Sequence, residues 1–201
     1  KIFTSLGIMS GTSMDGVDLS VIKSDGDSEF TVILNDYYEF DKSLREKLIN
    51  LRSQIFTFKD LEKYSNNLNE LEREFTLFNS QIINKIIKNY NDEIDLIGFH
   101  GQTIFHDTKN KISKQLGDGK LLSQITKKVV VNNFRKNDLI YNGQGAPLTP
   151  IFHYLLSKIF IKNNKFSYPV NIINIGGITN VTQILDNNLP DKSLRAYDIA
   201  P

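Results

Sequence analysis

The segment Gly7–Asp18, with the sequence GIMSGTSMDGVD, decides the fold of this chain. It joins the apolar segment Ile2–Met9 to Val17–Ile22, in which apolar residues alternate with polar ones. A glycine-rich polar turn between two such segments predicts a β-hairpin. Phe30–Phe40 is rich in β-branched and aromatic residues and predicts a third strand. The first forty residues therefore predict an antiparallel meander.

Two helices are predicted after the meander. Asp41 is suited to be the N-cap of a helix that runs to about Arg52. In Leu61–Tyr90 the apolar residues recur at steps of three and four, which predicts one helix of about 30 residues. Its apolar stripe fits either a long core helix packed on a sheet or a coiled-coil seam, so a homodimer stays open.

Strands and helices alternate in the remainder. Ile94–Phe99 predicts a strand that enters a polar turn, His100–Thr103. Later strands are predicted at Val129–Asn132, Val170–Ile175, Val181–Leu185 and Leu194–Asp198, and helices at Leu121–Thr126 and from Pro147 or Pro150 to about Phe160. This order predicts an α/β fold with a mixed sheet and flanking helices. We expect a first lobe at 1–168 and the start of a second at 169–201.

Composition narrows the class of protein. The 201 residues carry a net charge of +1 and no concentrated basic patch, so we expect no nucleic-acid partner. No apolar run reaches the roughly 18 residues of a membrane span, and we see no signal peptide. Cysteine is absent, which excludes disulfides and thiolate metal sites and suits a cytoplasmic protein. Because the chain begins at Lys1 and stops at Pro201, just after a predicted strand, we expect it to be a fragment.

Two glycine-rich turns could bind phosphate. Glycine lets successive backbone N–H groups approach an anion closely, and both Gly11–Asp18 and Gly176-Gly177 lie between predicted strands. Asp15 and Asp18 could hold Mg²⁺ through oxygen or water. For either turn alone a plain hairpin without a ligand is the favoured explanation, and the presence of two such turns strengthens the phosphate interpretation. The chain has neither a Walker A ending nor a Gly-x-Gly-x-x-Gly fingerprint, so nucleotide binding would use these hairpin turns.

Three further polar residues have both a functional and a structural interpretation. His100 could donate to a substrate or be a buried histidine satisfied by backbone; its spacing from His106 does not suit a zinc site. Arg135 could bind a carboxylate or phosphate, or form an ion pair with Asp138. Asp198 ends an apolar strand, where a carboxylate can serve as a general base.

Taken together, these stretches resemble the anhydromuramate kinase family. The matching strings are GIMSGTSMDGVD (Gly7–Asp18), GFHGQT (Gly98–Thr103), NFRKND (Asn133–Asp138), GQGAPL (Gly143–Leu148), NIGGITNV (Asn174–Val181) and YDIAP (Tyr197–Pro201). They occur in the family's order and span almost the whole chain. One departure is Ala200, where the family usually has glycine.

The resemblance implies a two-lobed actin/hexokinase/Hsp70-like (ribonuclease H-like) fold. It further implies an ATP-dependent kinase that opens the 1,6-anhydro ring of 1,6-anhydro-N-acetylmuramate with water and phosphorylates O6, giving N-acetylmuramate 6-phosphate in peptidoglycan recycling. By this likeness Asp198 is the general base that activates the attacking water, and Mg²⁺ and backbone donors neutralise the ATP phosphates. The implied ATP-binding residues are Gly11, Thr12, Ser13, Met14, Asp15, Gly16, Val17, Asp18, Gly176 and Gly177. The implied sugar-binding residues are His100, Gln102, Thr103, Arg135, Asp138 and Gln144.

Two other functions are compatible with the sequence. The chain could belong to another actin-like ATPase or sugar kinase, although the strings HGQT and GQGAP favour the anhydro sugar as the acceptor. It could also be a truncated product that binds muramyl sugars or a partner without turnover. Because most of a second lobe is missing, we expect these 201 residues alone to be inactive.

Overall fold

A computed structural model describes residues 1–164, 167–175, 178–188 and 190–200. The first part contains strands β1 (Phe3–Ser10), β2 (Gly16–Ser24), β3 (Phe30–Glu39), β4 (Leu96–Asp107), β5 (Ile112–Leu116) and β6 (Val129–Val131). Its helices are α1 (Lys42–Arg52), α2 (Phe58–Lys63), α3 (Ser65–Asn89), α4 (Gly119–Thr126) and α5 (Phe134–Ile140). The remaining elements are α6 (Pro150–Asn164), β7 (Val170–Asn174), β8 (Thr179–Ile184), α7 (Pro190–Ser193) and β9 (Leu194–Ala200).

The larger sheet is mixed, as predicted. Its strand order is β3-β2-β1-β4-β5, and β6 pairs with the beginning of β4, on the edge whose later residues pair with β5. Strands β1, β2 and β3 are antiparallel neighbours, so the predicted meander is confirmed. Strand β4 lies parallel to β1 and places Gln102 opposite Ser10. The end of β1, and with it the glycine-rich turn, therefore lies beside the middle of β4.

The predicted turn at His100–Thr103 is wrong, because β4 continues through these residues to Asp107. The polar run instead contains a β-bulge. Ile8 pairs with Phe99 and Met9 pairs with Gly101, which leaves His100 as the extra residue. Gly101 has a φ of +76°, and a Cβ there would lie 2.2 Å from the carbonyl oxygen of Leu116. Glycine thus permits a bulge that turns His100 out of the regular ladder.

The predicted single helix Leu61–Tyr90 is two helices, α2 and α3, which meet at Tyr64. The apolar stripe continues across the junction, so the sequence pattern did not reveal it. The buried stripe residues of α3 include Leu68, Phe75 and Ile86, and Phe75 stacks on Phe99 of β4. The interpretation as a core helix packed on a sheet is confirmed. Asp41 is also confirmed as the cap of α1, since its Oδ1 accepts from the Leu44 N–H over 2.9 Å.

The second sheet has the antiparallel order β7-β8-β9. Helix α6 begins at Pro150, one of the two predicted starting points, and packs on β8 and β9. His153 of α6 and Thr182 of β8 are hydrogen-bonded over 2.7 Å. None of the helices in the described ranges combines the length and the apolar character that a bilayer-spanning segment needs.

Candidate active site

The turn between β1 and β2 is tied to β4 by a buried amide. Gln102 is 0% exposed, and its Nε2 donates to the carbonyl oxygen of Gly11 over 3.0 Å. Its Oε1 lies 2.5 Å from the hydroxyl of Ser10, which is also buried. The same hydroxyl lies 2.9 Å from the carbonyl oxygen of Gly16. A hydroxyl has one proton, so Ser10 shares it between two acceptors on opposite sides of the turn.

Met14 anchors the turn from within. Its side chain is 4% exposed, and its φ of +52° lies in the left-handed region that residues other than glycine rarely adopt. Its N–H donates to the Gly11 carbonyl over 3.4 Å, which closes the turn. A buried side chain at a strained position indicates that the surrounding packing imposes this backbone shape.

The outer side of the turn is polar and exposed. Asp15 accepts from the Ser13 hydroxyl over 2.7 Å. This hydrogen bond, with smaller contributions from backbone N–H groups and Arg45, lowers the pKa of Asp15, so its carboxylate is ionised at neutral pH. Tyr37 lies across the turn, where a Cβ on Gly16 would come within 2.6 Å of its hydroxyl. Burial, together with nearby Asp15, raises the pKa of Tyr37.

Asp15 and Asp18 are the predicted magnesium ligands, and both carboxylates are exposed near the turn. Among the described residues, no group of three or more acidic or histidine side chains could enclose a metal. Mg²⁺ commonly keeps several waters and binds through one or two carboxylates plus substrate phosphates. The residues present therefore fit a magnesium ion that is held mainly by phosphate and water.

A second polar cluster lies where the β4 bulge meets α5. The Nε–H of Arg135 donates to Nε2 of His100 over 2.9 Å, and Nδ1–H of His100 donates to the Gly101 carbonyl over 2.7 Å. This arrangement defines the neutral Nδ1–H tautomer of His100. Burial is the main cause that lowers the pKa of His100, and the positive charge of Arg135 lowers it further. His100 is therefore an uncharged acceptor at neutral pH.

Arg135 is half-buried, and no carboxylate among the described residues lies within ion-pair distance of it. Its Nη1 donates to the Gly145 carbonyl over 2.8 Å. Asp138, weighed above as an ion-pair partner of Arg135, instead accepts from the Gly145 N–H through Oδ2 over 2.7 Å. Arg135 and Asp138 thus hold the two sides of one peptide segment. The guanidinium keeps a positive charge with no carboxylate partner in this part of the chain.

The other predicted sugar-side residues are Thr103, Gln144 and Gln102, and they lie outside the His100–Arg135 cluster. Thr103 is half-buried on β4 and accepts from Gln115 over 3.4 Å. Gln144 is exposed, and its carbonyl accepts from Thr108 over 3.5 Å. The amide oxygen and the amide nitrogen of Gln102 are both bonded within the protein, as described above. Whether these side chains contact a sugar stays a prediction.

The predicted general base lies on the second sheet, apart from the clusters described above. Asp198 lies on β9, is exposed and pairs with Asn180 of β8. Within the described ranges, no hydrogen bond or ion pair joins Asp198 to the His100–Arg135 cluster. Val17 is fully buried and could contribute only backbone to a nucleotide site. The second predicted glycine turn, Gly176-Gly177, lies outside the described residues.

Two grooves flank these clusters. One of about 510 Å³ adjoins the turn and is lined by Asp15, Tyr37, Glu39, Phe40, Lys42, Arg45, Glu46 and Ile49. Another of about 700 Å³ lies beside α4 and ends at Asn132 and Asn133, just before α5. The second groove is larger but contains none of the predicted site residues. The turn and the His100–Arg135 cluster form the candidate site, because hydrogen bonds fix their polar groups.

Three neighbours of the site are not indicated by the sequence patterns: Tyr37, Arg45 and Gly145. Tyr37 and Arg45 follow the turn by more than twenty residues, and only the pairing of β2 with β3 brings this region to the turn. Gly145 could have been suspected from its position within the string GQGAP. Nothing in the local sequence predicts that its carbonyl bonds Arg135.

The mixed sheet with an antiparallel meander, the parallel β4 and the flanking helices define an α/β protein of the actin/hexokinase-like kinase class. The family model described as anhydro-N-acetylmuramic acid kinase matches residues 3–201. The chain belongs to the anhydro-N-acetylmuramic acid kinase family.

Curated relatives support this assignment. The chain is 52% identical to an anhydro-N-acetylmuramic acid kinase of Pelagibacter ubique, over 100% of this chain and 52% of the relative. It is 35% identical to the protein of the same name from Agrobacterium fabrum, over 100% of this chain and 53% of the relative. For the Brucella canis protein the identity is 34%, over 98% and 52% respectively. The chain spans about half the length of the curated relatives it matches.

Proposed function

We propose that this chain belongs to an ATP-dependent kinase that hydrolytically opens the 1,6-anhydro ring of 1,6-anhydro-N-acetylmuramic acid and phosphorylates O6. The product is N-acetylmuramate 6-phosphate, which suits a role in peptidoglycan recycling. One structural observation carries the proposal beyond the family name. The parallel pairing of β1 with β4 sets the glycine-rich turn beside the bulge that carries His100, which supports a phosphate site and a sugar site that adjoin.

The turn supplies the phosphate side. Within the described residues, no acceptor pairs with the backbone N–H of Thr12 or of Ser13. Unpaired N–H groups in a glycine-containing turn are suited to phosphate oxygens. Magnesium, held by phosphates and water with Asp15 or Asp18 nearby, would offset the negative charge that develops during phosphoryl transfer.

The His100–Arg135 cluster supplies the sugar side. Arg135 uses Nε and Nη1 on protein acceptors, and Nη2 has no partner among the described residues. A guanidinium without a carboxylate partner is suited to the carboxylate of a muramic acid. Neutral His100 holds the guanidinium plane in place without adding a competing charge.

Asp198 is the proposed general base. Its carboxylate would accept a proton from water as the water oxygen attacks C1 and the C1–O6 bond breaks. The released O6 then attacks the γ-phosphorus of ATP, and the bond to the ADP oxygen breaks. General-base catalysis of this kind typically contributes about 10²–10⁴-fold.

The test uses the full-length protein, magnesium ATP and 1,6-anhydro-N-acetylmuramic acid, with ADP release as the readout. Asp198→Asn should lower kcat by about 10²–10⁴-fold and leave nucleotide affinity unchanged. Asp27→Asn, which changes an exposed carboxylate in the turn between β2 and β3, should retain full activity.

Isotope labelling separates this reaction from that of another sugar kinase. In water enriched with oxygen-18, the proposed reaction places the label on the anomeric oxygen of the product and none on its phosphate. A product without label at C1 would contradict the hydrolytic step. Phosphorylation of unrelated hexoses at equal efficiency would favour a general sugar kinase instead.

A further inference from the structure

Gln102 lies opposite Ser10 but has no side-chain atom free for a ligand. Its Nε2 donates to the Gly11 carbonyl, its Oε1 faces the Ser10 hydroxyl, and the residue is 0% exposed. An amide that is fully buried and bonded at both ends is a structural link. The link joins β4, the strand that carries His100, to the turn between β1 and β2.

The orientation of the Gly11–Thr12 peptide decides where the Thr12 N–H points. The Gly11–Thr12 peptide is trans, so the Gly11 carbonyl and the Thr12 N–H point in opposite directions. Because the carbonyl points at the buried Gln102, the Thr12 N–H points away from it, toward the exposed side of the turn. Thr12 is exposed, and its N–H has no acceptor within the described ranges.

We propose that Gln102 is a positioning residue that holds the Gly11–Thr12 peptide so that the Thr12 N–H faces a bound phosphate. This inference rests on the proposed function for the identity of the anion. It assigns Gln102 to the phosphate side of the reaction, whereas the family resemblance placed it among the sugar-binding residues. Ser10 supports the same arrangement, because its single proton is shared between Gln102 and the Gly16 carbonyl.

The proposal predicts a separation of kinetic effects in the full-length protein. Gln102→Met keeps much of the side-chain volume but removes the hydrogen bonds to Ser10, to the Gly11 carbonyl and to the Thr103 carbonyl. We expect the KM for ATP to rise about tenfold, because that factor corresponds to the loss of one well-directed hydrogen bond to an anion. The KM for the sugar should change by less than about twofold. A rise in the sugar KM with an unchanged ATP KM would overturn the proposal.

Gln102→Glu provides a second variant of the same shape. At about pH 9, where the new carboxyl is ionised, one oxygen can still accept from Ser10, but the other faces the Gly11 carbonyl and repels it, so both proteins are compared at that pH. We therefore expect this variant to raise the KM for ATP at least as much as Gln102→Met. An ATP KM equal to that of the unaltered protein would overturn the proposal even if Gln102→Met failed to fold.

Asn79→Leu is the matched control for burial. Asn79 is also a 0% exposed amide, but its Nδ2 donates to the Phe75 carbonyl within α3, away from the turn. It should leave both KM values unchanged. If Asn79→Leu and Gln102→Met raised the KM for ATP equally, the removal of any buried amide would explain the effect and the proposal would fail.

A binding measurement separates this proposal from the proposed function. In protein labelled with ¹⁵N-threonine, the amide resonance of Thr12 should shift when the magnesium complex of a non-hydrolysable ATP analogue is added. In Gln102→Met the same titration should need about tenfold more analogue. Failure of the unaltered protein to phosphorylate the anhydro sugar would overturn the proposed function alone. An identical Thr12 titration in both proteins, or no Thr12 shift in either, would overturn the positioning role alone.

Discussion

The Nε–H of Arg135 donates to Nε2 of His100 over 2.9 Å, so a charged guanidinium is paired with a neutral imidazole. This pairing depends on the protonation state of His100. Adding a proton to Nε2 would remove the acceptor and bring two positive charges together. The cluster beside the β4 bulge is therefore suited to neutral pH.

The first prediction concerns stability as a function of pH. The pKa of His100 is lowered from its usual 6.5 in the folded protein, so the unfolded chain binds a proton at a higher pH than the folded chain does. The stabilisation is complete above about pH 6.5 and declines as the pH falls toward the folded pKa. The midpoint of urea unfolding should therefore decrease as the pH is lowered from about 7.5 to about 5.5.

The control for this pH effect is His100→Gln, which can still accept from Arg135 but does not titrate. It should reduce the slope without removing it, because burial also lowers the pKa of both His106 and His153. An identical slope in the variant and the unaltered protein would exclude His100 as a contributor.

The second prediction concerns the electrostatic effect of Arg135. Arg135→Met removes the positive charge, so the pKa of His100 should rise. It should stay below its usual value, because burial is the larger cause of the lowering. An NMR titration of the His100 imidazole protons in the variant and in the unaltered protein measures the size of this rise. Arg73→Met, at an exposed position on α3, should leave this pKa unchanged.

The third prediction concerns the segment that follows α5. The Oδ2 of Asp138 accepts from the Gly145 N–H over 2.7 Å, and Gly145 is buried. Asp138→Ala leaves that N–H unpaired and should reduce the free energy of unfolding by about 1–3 kcal/mol. Asn137→Ala, which alters the exposed neighbouring residue, should change it by less than about 0.5 kcal/mol. Equal denaturation midpoints for the two variants would show that the Asp138 bond contributes little.

The fourth prediction concerns a buried amide in α3. The Oδ1 of Asn79 is buried and has no hydrogen-bond partner among the described residues. Leucine has the same branching, so Asn79→Leu should remove the cost of that unpaired oxygen and stabilise the protein by about 1 kcal/mol. Asn84→Leu, at an exposed position on the same helix, corrects for helix propensity. Thermal unfolding of both variants measures the difference, and a loss of stability in Asn79→Leu alone would indicate overpacking.

Local patterns were sufficient to predict much of the fold. The meander, the Asp41 cap and the start of α6 at Pro150 depend on residues close together in sequence, where propensity and capping chemistry operate. The polar run His100–Thr103 predicts a turn, because polar residues beside a glycine usually mark one. Here the neighbouring β1 and β5 keep the run in the sheet, and Gly101 absorbs the irregularity as a bulge.

The site was predictable as a set of segments but not as a set of contacts. The family strings contain His100, Arg135 and Gln102, yet they do not indicate which of these side chains stays free for a ligand. That depends on the register of β1 against β4, which brings Gln102 to Ser10. No local pattern fixes the pairing of strands that are so far apart in the chain.

The parallel pairing of β1 with β4 also has a consequence for the order of folding. Ser10 and Gln102 are 92 residues apart, so their hydrogen bond closes a loop that includes β2, β3, α1, α2 and α3. Contacts of such high sequence separation carry a large entropic cost before they contribute stability. During synthesis the hairpin of β1 and β2 can form early, but the ribosome must add β4 before Gln102 can reach the turn. We therefore expect the turn between β1 and β2 to be among the first segments translated and among the last to reach its final shape.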